Sequence, residues 1–545
     1  MSTPIAGDRP EAESGGRTLY LGGSIHSPAE PFATAMLVAD GTVAWLGGDG
    51  AARAHADDVD AVVDLDGALV TPAFVDAHVH TTATGLAGVG LDLTECGSVG
   101  ELLDAVRRET ERRRGHGIVV GFGWDERRWP DHRAPTRTEL DRAAYGGAVF
   151  LDRVDVHSSA VSSALLASLP HIASLQGYSD SGLLTDMAHH AARAAVADDL
   201  PTVDRLEVQR KIRATAASLG IGSFHEMGGP NLAGAKDLVA LLDLAATEPG
   251  PSVVGYWAAE GALNSLPDPR VVGLAGDLFA DGTIGSHTAA LRERYLDHPG
   301  NGNLYLTASR VRDHVIGCTD AGLQAGFHVI GDGAMDTVLA GFSEAAERIG
   351  PERIRAGRHR IEHVELVHSE HIRTLASLGI MASVQPLFDA LWGGPDGMYA
   401  ARLGDRWELM NPFAAMQTAG VVLALGSDSP VTTLGPWEAI RAAALHRNHD
   451  HRISVRAAFS AHTRGGWRAA GKDGGVLAVG AAATFAVWQT EELVVQAPDN
   501  RVAGWSTDPR SGTPGLPNLA EGMPLPQCLR TVVDGDVVFD AGRLG

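Results

Sequence analysis

Residues 216–226, AASLGIGSFHE, contain the pattern that decides the fold: a helical run, a glycine, a short apolar strand and a polar residue about six positions past the glycine. The pattern recurs at 319–328 (TDAGLQAGFH), 375–385 (LASLGIMASVQ) and 416–428 (MQTAGVVLALGSD). Glycine is favoured just past a helix C-terminus because it adopts left-handed dihedrals. Repeated units of helix and buried apolar strand predict a parallel sheet whose strands end at one common face.

The number of apolar strands in the central region indicates how this sheet is arranged. There are eight candidates, the number in a (β/α)8 barrel of the TIM type, at 73–78, 222–227, 252–257, 275–281, 324–329, 359–364, 380–385 and 421–428. The interval of about 81–215 is then an insertion after the first strand, which we expect to cover the barrel mouth. It has a helix at 98–114, opened by a Ser98-x-x-Glu101 capping box, and strands near 118–122 and 148–152. An open, doubly wound sheet is the structural alternative.

Both ends of the chain have a different pattern from the centre. Residues 17–70 and 472–545 alternate apolar and polar positions, with turn signals such as the hairpin dipeptide Asp534-Gly535. Together they predict one composite β-sandwich domain beside a barrel domain at 71–471. The polar residues 1–16 are predicted to form a disordered N-terminal tail.

The charge of the chain limits the partners that it can bind. The formal net charge of the 545 residues is −23, and no basic run is longer than Arg112-Arg113-Arg114, so phosphate backbones and anionic lipids would be repelled. No apolar run approaches the length of a membrane span, and three scattered cysteines do not suggest a disulfide framework. We expect a cytoplasmic protein with a small-molecule substrate and with neither nucleic-acid nor membrane partners. A homo-oligomer is left open.

Potential metal ligands follow several of the predicted strands. In DAHVH at 76–80, His78 and His80 project to the same side because side chains alternate along a strand. His328, His363 and Asp428 lie at the ends of three later strands. Imidazole nitrogens and carboxylate oxygens are typical zinc ligands in catalytic sites. For each histidine alone, a hydrogen-bonded core side chain is the alternative, but their convergence predicts a metal site.

Eight motifs give the chain a wider resemblance. It resembles the amidohydrolase superfamily over nearly its whole length, and within it the YtcJ-like branch that includes N-substituted formamide deformylases. The resemblance implies a composite β-sandwich, a barrel with one or two metal ions, and hydrolysis of a C–N bond. The motifs are TPAFVDAHVH at 71–80, GFGWDERRWP at 121–130, RVDVHSSAVSSALL at 153–166, LFADGTIGSHTAAL at 278–291, GFHVIGDGA at 326–334, HRIEHVEL at 359–366, GSDSPV at 426–431 and HTRGGWRAAG at 462–471.

Roles for individual residues follow from the resemblance and from the chemistry of amide hydrolysis. Asp428 is the candidate general base and then acid, and His363 is either a metal ligand or a group that orients water or stabilises the oxyanion. Trp124, Asp125, His157 and Asp281 are the candidate substrate-binding residues. For Trp124 and Asp125, the alternative is a place in the core of the insertion and a structural cap.

One position departs from the family pattern. Many two-metal amidohydrolases bridge their ions through a carboxylated lysine on the fourth barrel strand, and the resemblance puts that position at Asp277. The chain has only three lysines, Lys211, Lys236 and Lys472, and none can reach the metal from that strand. We therefore expect no lysine carbamate. Asp277 is the candidate replacement among the metal ligands, and Glu226 is a weaker one.

Three functions are consistent with the sequence. The first is hydrolysis of an amide or N-substituted formamide that is not a peptide. One or two divalent metal ions, expected to be zinc, would activate the attacking water. The second is a deaminase or cyclic-amide hydrolase that uses the same site. The third is a non-catalytic, metal-binding regulatory protein on an inherited scaffold.

Overall fold

A parallel sheet of eight strands forms the centre of the computed structural model, which describes residues 16–198, 202–264, 266–496, 505–506 and 514–545. In seven of the eight strands every residue is buried, as expected where helices cover one side and the barrel core fills the other. We label the strands in chain order as β1 Phe74–Val79, β2 Ile221–Gly228, β3 Ser252–Trp257, β4 Gly273–Leu274, β5 Gln324–Val329, β6 Arg360–His363, β7 Met381–Val384 and β8 Leu423–Leu425.

The first and last strands meet just beyond the end of β8. The backbone N–H of Asp428 donates to the carbonyl of His78 at 2.8 Å, and that of His80 donates to the carbonyl of Ser429 at 3.0 Å. Together with the parallel bridge between Val79 and Ser429, these bonds close the sheet into a barrel. The predicted (β/α)8 barrel is confirmed, and the doubly wound alternative is wrong.

The predicted position of the fourth strand is wrong. The expected strand was 275–281, but β4 covers only Gly273–Leu274. Gly276 has a φ of +82°, a left-handed conformation outside the strand region, and it interrupts the ladder one residue before Asp277. The chain then runs beside β5, where the N–H of Ala280 donates to the carbonyl of His328 at 3.0 Å.

Helices pack around the outside of the barrel. Gly322 and Gly379 end the helices before β5 and β7 in the left-handed conformation that the sequence predicted, with φ values of 71° and 65°. The helices after β1 are Thr81–Val89, Thr202–Ser218, Gly234–Thr247, Ala308–Ala321, Asp332–Ile349, Pro351–Ala356, Ser369–Leu378, Pro386–Trp392, Met398–Leu403, Phe413–Thr418, Pro436–Ala444, Val455–Ser460 and Gly466–Ala469.

Strands from both ends of the chain form a β-sandwich beside the barrel. Side chains such as Tyr20, Met36, Phe485 and Val532 form the core between its two sheets. One sheet has the order Thr42–Gly47, Ala35–Ala39, Thr18–Leu21 and Ala61–Asp64. The other joins both ends of the chain in the order Ser24–Ile25, Leu69–Pro72, Phe485–Gln489, Gln527–Val533 and Asp536–Asp540.

The insertion after β1 has its own mixed sheet. Its first long helix, Val99–Arg112, is capped as predicted by the Ser98 hydroxyl, which accepts the N–H of Glu101. The strand order is Leu183–Thr185, Ser158–Val161, Val149–Arg153, Val119–Trp124 and Leu91–Asp92. The other helices are Arg137–Ala143, Ser163–Ser168 and Asp186–Asp198.

Two expectations from the sequence are not tested by this fold. The domain limits at 70/71 and 471/472 stay predictions. The predicted disordered tail at 1–16 lies outside the described residues except for Gly16. Within the described part of the chain, no helix combines the length and the apolar character needed to cross a membrane.

Candidate metal centre

Six ionisable side chains, at or just beyond the ends of five strands, converge at the carboxyl face of the barrel. All six are buried. In two sets of three, the ligand atoms lie within 4.8 Å of one another: one set is His78, His80 and Asp428, and the other is His78, Asp277 and His363. His328 belongs to the same cluster because its Nδ1 is 3.5 Å from Asp277 Oδ1. The structure thus brings together every residue that the sequence predicted as a metal ligand.

Asp277 lies at the centre of this cluster. Its Oδ1 is 3.6 Å from His78 Nε2, 3.5 Å from His328 Nδ1 and 3.5 Å from His363 Nε2. Its Oδ2 is 3.0 Å from His80 Nε2. One carboxylate therefore lies within 3.0–3.6 Å of ring nitrogens from all four histidines.

Asp428 contacts three of these histidines from just beyond the end of β8. Its Oδ1 is 3.4 Å from His78 Nε2 and 3.2 Å from His80 Nε2, and its Oδ2 is 4.0 Å from His363 Nδ1. His363 and Asp428 have φ values of 71° and 54°, which is uncommon for residues other than glycine. Such strained conformations concentrate at functional sites, where the surrounding structure maintains them.

Each of the four histidines uses one ring nitrogen for support and turns the other to the cluster. His78 Nδ1 is 3.0 Å from Glu362 Oε2, and His363 Nδ1 is 2.9 Å from Gln385 Oε1. His80 Nδ1 is 3.2 Å from the carbonyl of Met227, and His328 Nε2 is 3.2 Å from that of Gly282. Such partners fix the tautomer and orientation of metal-binding histidines.

The unpaired atoms of the cluster fit a divalent cation. Buried polar atoms in proteins nearly always have hydrogen-bond partners. Five buried atoms here have none: His78 Nε2, His328 Nδ1, His363 Nε2, Asp277 Oδ1 and Asp428 Oδ1. Three nitrogens and two carboxylate oxygens form a donor set of the kind that zinc and similar ions prefer.

Electrostatics support the same interpretation. Burial alone would lower the pKa of His78, but the carboxylates of Asp277 and Asp428 outweigh it and hold that pKa well above its ordinary value. Burial would raise the pKa of Asp277, but His78, His328 and His363 bring it well below its ordinary value. The cluster therefore attracts positive charge, which protons or a metal ion can supply.

A family comparison agrees with this geometry. A family model described as the amidohydrolase family matches residues 61–539, which is most of the chain. The chain belongs to the amidohydrolase family. It therefore belongs to a superfamily of metal-dependent hydrolases, and the resemblance seen in the sequence motifs is confirmed.

Individual relatives fit this assignment. The chain is 26% identical over 420 residues to a putative amidohydrolase, YtcJ, of Bacillus subtilis, covering 71% of this chain and 75% of the relative. It is 23% identical over 453 residues to an N-substituted formamide deformylase of Arthrobacter pascens, covering 74% and 79%. The crystal structure of an uncharacterised metal-dependent hydrolase from Pyrococcus furiosus matches with a TM-score of 0.68 and 26% identity, over 86% of this chain and 98% of that one.

A cavity lies against the metal cluster of this amidohydrolase, and we call it the Glu365 cavity. The Tyr399 hydroxyl donates to Glu365 Oε2 at 2.5 Å. Burial raises the pKa of Glu365 to about 7, against the lowering effect of that hydrogen bond. His363 and Asp428 form the cavity wall on the metal side, and the wall further out includes Asp155, His157, Phe388, Trp392 and Met398.

His157 is the one predicted substrate-binding residue that faces this cavity. Its ring centroid is 5.4 Å from that of His328 and 5.8 Å from that of Phe279. It therefore lies beside the cluster, at the place where the insertion meets the barrel, and its role in binding substrate stays a prediction.

The other three predicted substrate-binding residues have structural contacts, and their roles in binding substrate stay predictions. Trp124 is 1% exposed in the core of the insertion. Asp125 caps a 3-10 turn and pairs with Arg127 at 2.7 Å. Asp281 is fully buried, and its carboxylate accepts the backbone N–H groups of Ala290, Ile330 and Gly331. None of the three lines the Glu365 cavity.

The sequence analysis missed several supporting residues. Gln385 lies six residues past Gly379, so the repeat that revealed His328 also marked it. Glu362 directly precedes His363, and this adjacency was a signal that could have been used. No sequence signal singled out Tyr399, because its contact with Glu365 depends on how the helix Met398–Leu403 after β7 packs against the barrel.

The Glu362→Gln variant tests the support of His78. Arg360 donates to both oxygens of Glu362, at 2.6 Å and 2.9 Å, so the carboxylate is held rigidly against the ring. Losing such a partner costs about 10–100-fold in metal affinity. We expect Glu362→Gln to weaken zinc binding by that factor in competition titrations with a chromophoric chelator. An unchanged zinc affinity in the folded variant would contradict this role.

Proposed function

We propose that the protein is a divalent-metal-dependent hydrolase that cleaves a C–N bond in a small organic amide or N-substituted formamide. The observation that carries this proposal is the position of Asp277 among four histidines, in a cluster with five unpaired buried donor atoms. The name of the Arthrobacter relative, an N-substituted formamide deformylase, supports the choice of bond.

The residues that would hold the metal are His78, His80, His328, His363, Asp277 and Asp428. We propose that Asp277 takes the bridging position if two ions bind, and that zinc is the ion. When bound, a divalent metal acts as a Lewis acid that polarises the carbonyl group and lowers the pKa of water.

Asp428 is the proposed proton carrier. It is a cluster residue that also lines the Glu365 cavity, so its carboxylate can face both water and substrate. It would accept the proton of the attacking water and donate it to the departing nitrogen as the C–N bond breaks. The products are an amine and a carboxylate, which is formate when the substrate is a formamide. His363, which also lines the cavity, would ligate or stabilise negative charge on the carbonyl oxygen.

The cavity wall supports a small organic substrate. Phe388, Trp392 and Tyr399 offer aromatic surface, and Glu365 and His157 offer polar groups that can orient an amide. The net charge of −23 supports a partner that is neither nucleic acid nor an anionic membrane surface, and we propose a cytoplasmic role.

Metal analysis tests this proposal directly. We expect the purified protein to contain at least one equivalent of a transition metal, because six ligands converge in one buried site. Dialysis against a chelator should abolish hydrolysis, and zinc should restore it. Fully active protein that elemental analysis finds to be metal-free would contradict the proposal.

A substrate panel separates this function from its alternative. N-substituted formamides and open-chain amides should release an amine, detected with an amine-reactive dye. Release of ammonia from an amino-substituted ring, or opening of a cyclic amide, would favour the deaminase or cyclic-amide hydrolase. No turnover of any amide by the metal-loaded protein would favour a regulatory role.

A further inference from the structure

A second cavity also reaches the metal cluster. It lies between the insertion and the β1 and β2 ends of the barrel, and His80 forms its wall on the metal side. We call it the His80 cavity. Its surface is mostly apolar and includes Leu86, Val120, Phe122, Phe150, Val196 and Met227.

Asp152 is a polar residue in this mostly apolar wall, as are Glu226 and Asp237. Asp152 is 2% exposed, and its Oδ1 has no hydrogen-bond partner. The nearest ring nitrogen, Nδ1 of His189, is 3.8 Å away and bonds to Ser159 Oγ. Arg193, whose positive charge acts on Asp152, also lines the cavity and donates to the carbonyl of Val156. A buried carboxylate oxygen without a hydrogen-bond partner is rare in a folded protein.

The two cavities meet at the metal cluster. His80 lines one and Asp428 lines the other, and His80 Nε2 is 3.2 Å from Asp428 Oδ1. They share no lining residue. An amide at the cluster would therefore be adjacent to both cavities.

We propose that the His80 cavity is a second substrate subsite, so that the substrate is an amide with a sizeable group on both sides of the scissile bond. The group in the His80 cavity is an apolar chain that ends in a hydrogen-bond donor to Asp152. The aromatic Glu365 cavity takes the group on the other side. This inference rests on the proposed function and narrows its substrate class, because a formamide has a substituent on one side only.

Three amides that differ only in their acyl group test the subsite in the zinc-loaded protein: N-benzylformamide, N-benzylhexanamide and N-benzyl-6-hydroxyhexanamide. The third probe should bind best, because its chain buries apolar surface in the His80 cavity and its hydroxyl can donate a hydrogen bond to Asp152. We expect its kcat/KM to exceed that of N-benzylformamide by at least about 10-fold. Its Kd should also be lower, measured by calorimetry on the zinc-loaded protein whether or not turnover occurs.

Two variants and a matched control locate the effect. Leu86→Trp fills the cavity from the helix Thr81–Val89, whereas Val89→Trp adds the same ring at a position of that helix that is 54% exposed. We expect Leu86→Trp to weaken binding of both hexanamides by about 10-fold and to leave N-benzylformamide nearly unchanged. Val89→Trp should leave all three unchanged. Asp152→Asn, which keeps one oxygen but loses the carboxylate, should reduce the preference for the hydroxylated chain over the unsubstituted one.

The outcomes distinguish this inference from the proposed function. Equal binding of the three probes, or equal effects of Leu86→Trp and Val89→Trp, would overturn the subsite. A hexanamide that binds to the His80 cavity without competing with N-benzylformamide would also overturn it, because the cavity would then hold an effector. Probe binding that Leu86→Trp weakens, with no amide cleaved, would support the subsite and refute hydrolysis. If Leu86→Trp fails to fold, the Asp152→Asn variant and the comparison of the three probes in the unaltered protein still test the subsite.

Discussion

Asp428→Asn is expected to lower kcat by at least ~100-fold, because general acid–base catalysis contributes about 10²–10⁴-fold and an amide cannot carry the proton. The substitution keeps the size of the side chain and one oxygen near His78 and His80, whose Nε2 atoms lie 3.4 Å and 3.2 Å from Asp428 Oδ1. The loss should therefore appear in kcat per bound metal ion, measured on the best amide of the panel together with elemental analysis.

Asp332→Asn is a suitable control for that experiment. Asp332 is also a buried carboxylate beyond the end of a barrel strand, but it accepts the N–H of Arg292 and pairs with His368 outside the cluster. We expect its kcat to stay within about threefold of the unaltered protein. If Asp428→Asn, with its metal retained and its fold intact, has an equally small effect, another group moves the proton.

The sequence predicted the barrel because local signals and tertiary structure agree over most of its length. Gly322 and Gly379 end their helices where the repeat placed them, and the apolar runs between such glycines are buried strands. The position of the fourth strand was predicted wrongly because its apolar residues continue past Gly276, where the backbone leaves the hydrogen-bonded ladder. Hydrophobic pattern alone does not reveal a left-handed residue inside an apolar run.

The candidate metal ligands were easier to predict from the sequence than the groups that support them. Each histidine and Asp428 follows an apolar strand, so their place in the chain indicates that they share one face. The carbonyls of Met227 and Gly282 that support His80 and His328 are backbone groups, which every residue has, so no residue type marks them. Trp124 shows the opposite case: its motif suggests contact with substrate, but its ring fills the core of the insertion.

The proposed replacement of a lysine carbamate by Asp277 leads to the prediction with the most direct readout. Asp277 lies within 3.0–3.6 Å of ring nitrogens from four histidines, and no other carboxylate in the described residues contacts all four. Glu226, the weaker candidate from the sequence, instead accepts the N–H of Thr81 at 2.9 Å and the hydroxyl of the same residue.

We expect Asp277→Ala to lower metal affinity by at least ~10-fold, because even partners that only support a ligand contribute 10–100-fold. Glu226→Gln, which alters a buried carboxylate at the same barrel mouth, should keep its metal. Bicarbonate should have no effect when the metal-free protein is reconstituted, since no lysine occupies the bridging position. The measurement is the metal content after equilibrium dialysis of both variants in buffers with and without bicarbonate. Unaltered metal content in Asp277→Ala, or an Asp277 oxygen far beyond the ~2.0–2.2 Å of a zinc–oxygen bond in a crystal structure with zinc, would rule out the bridging role.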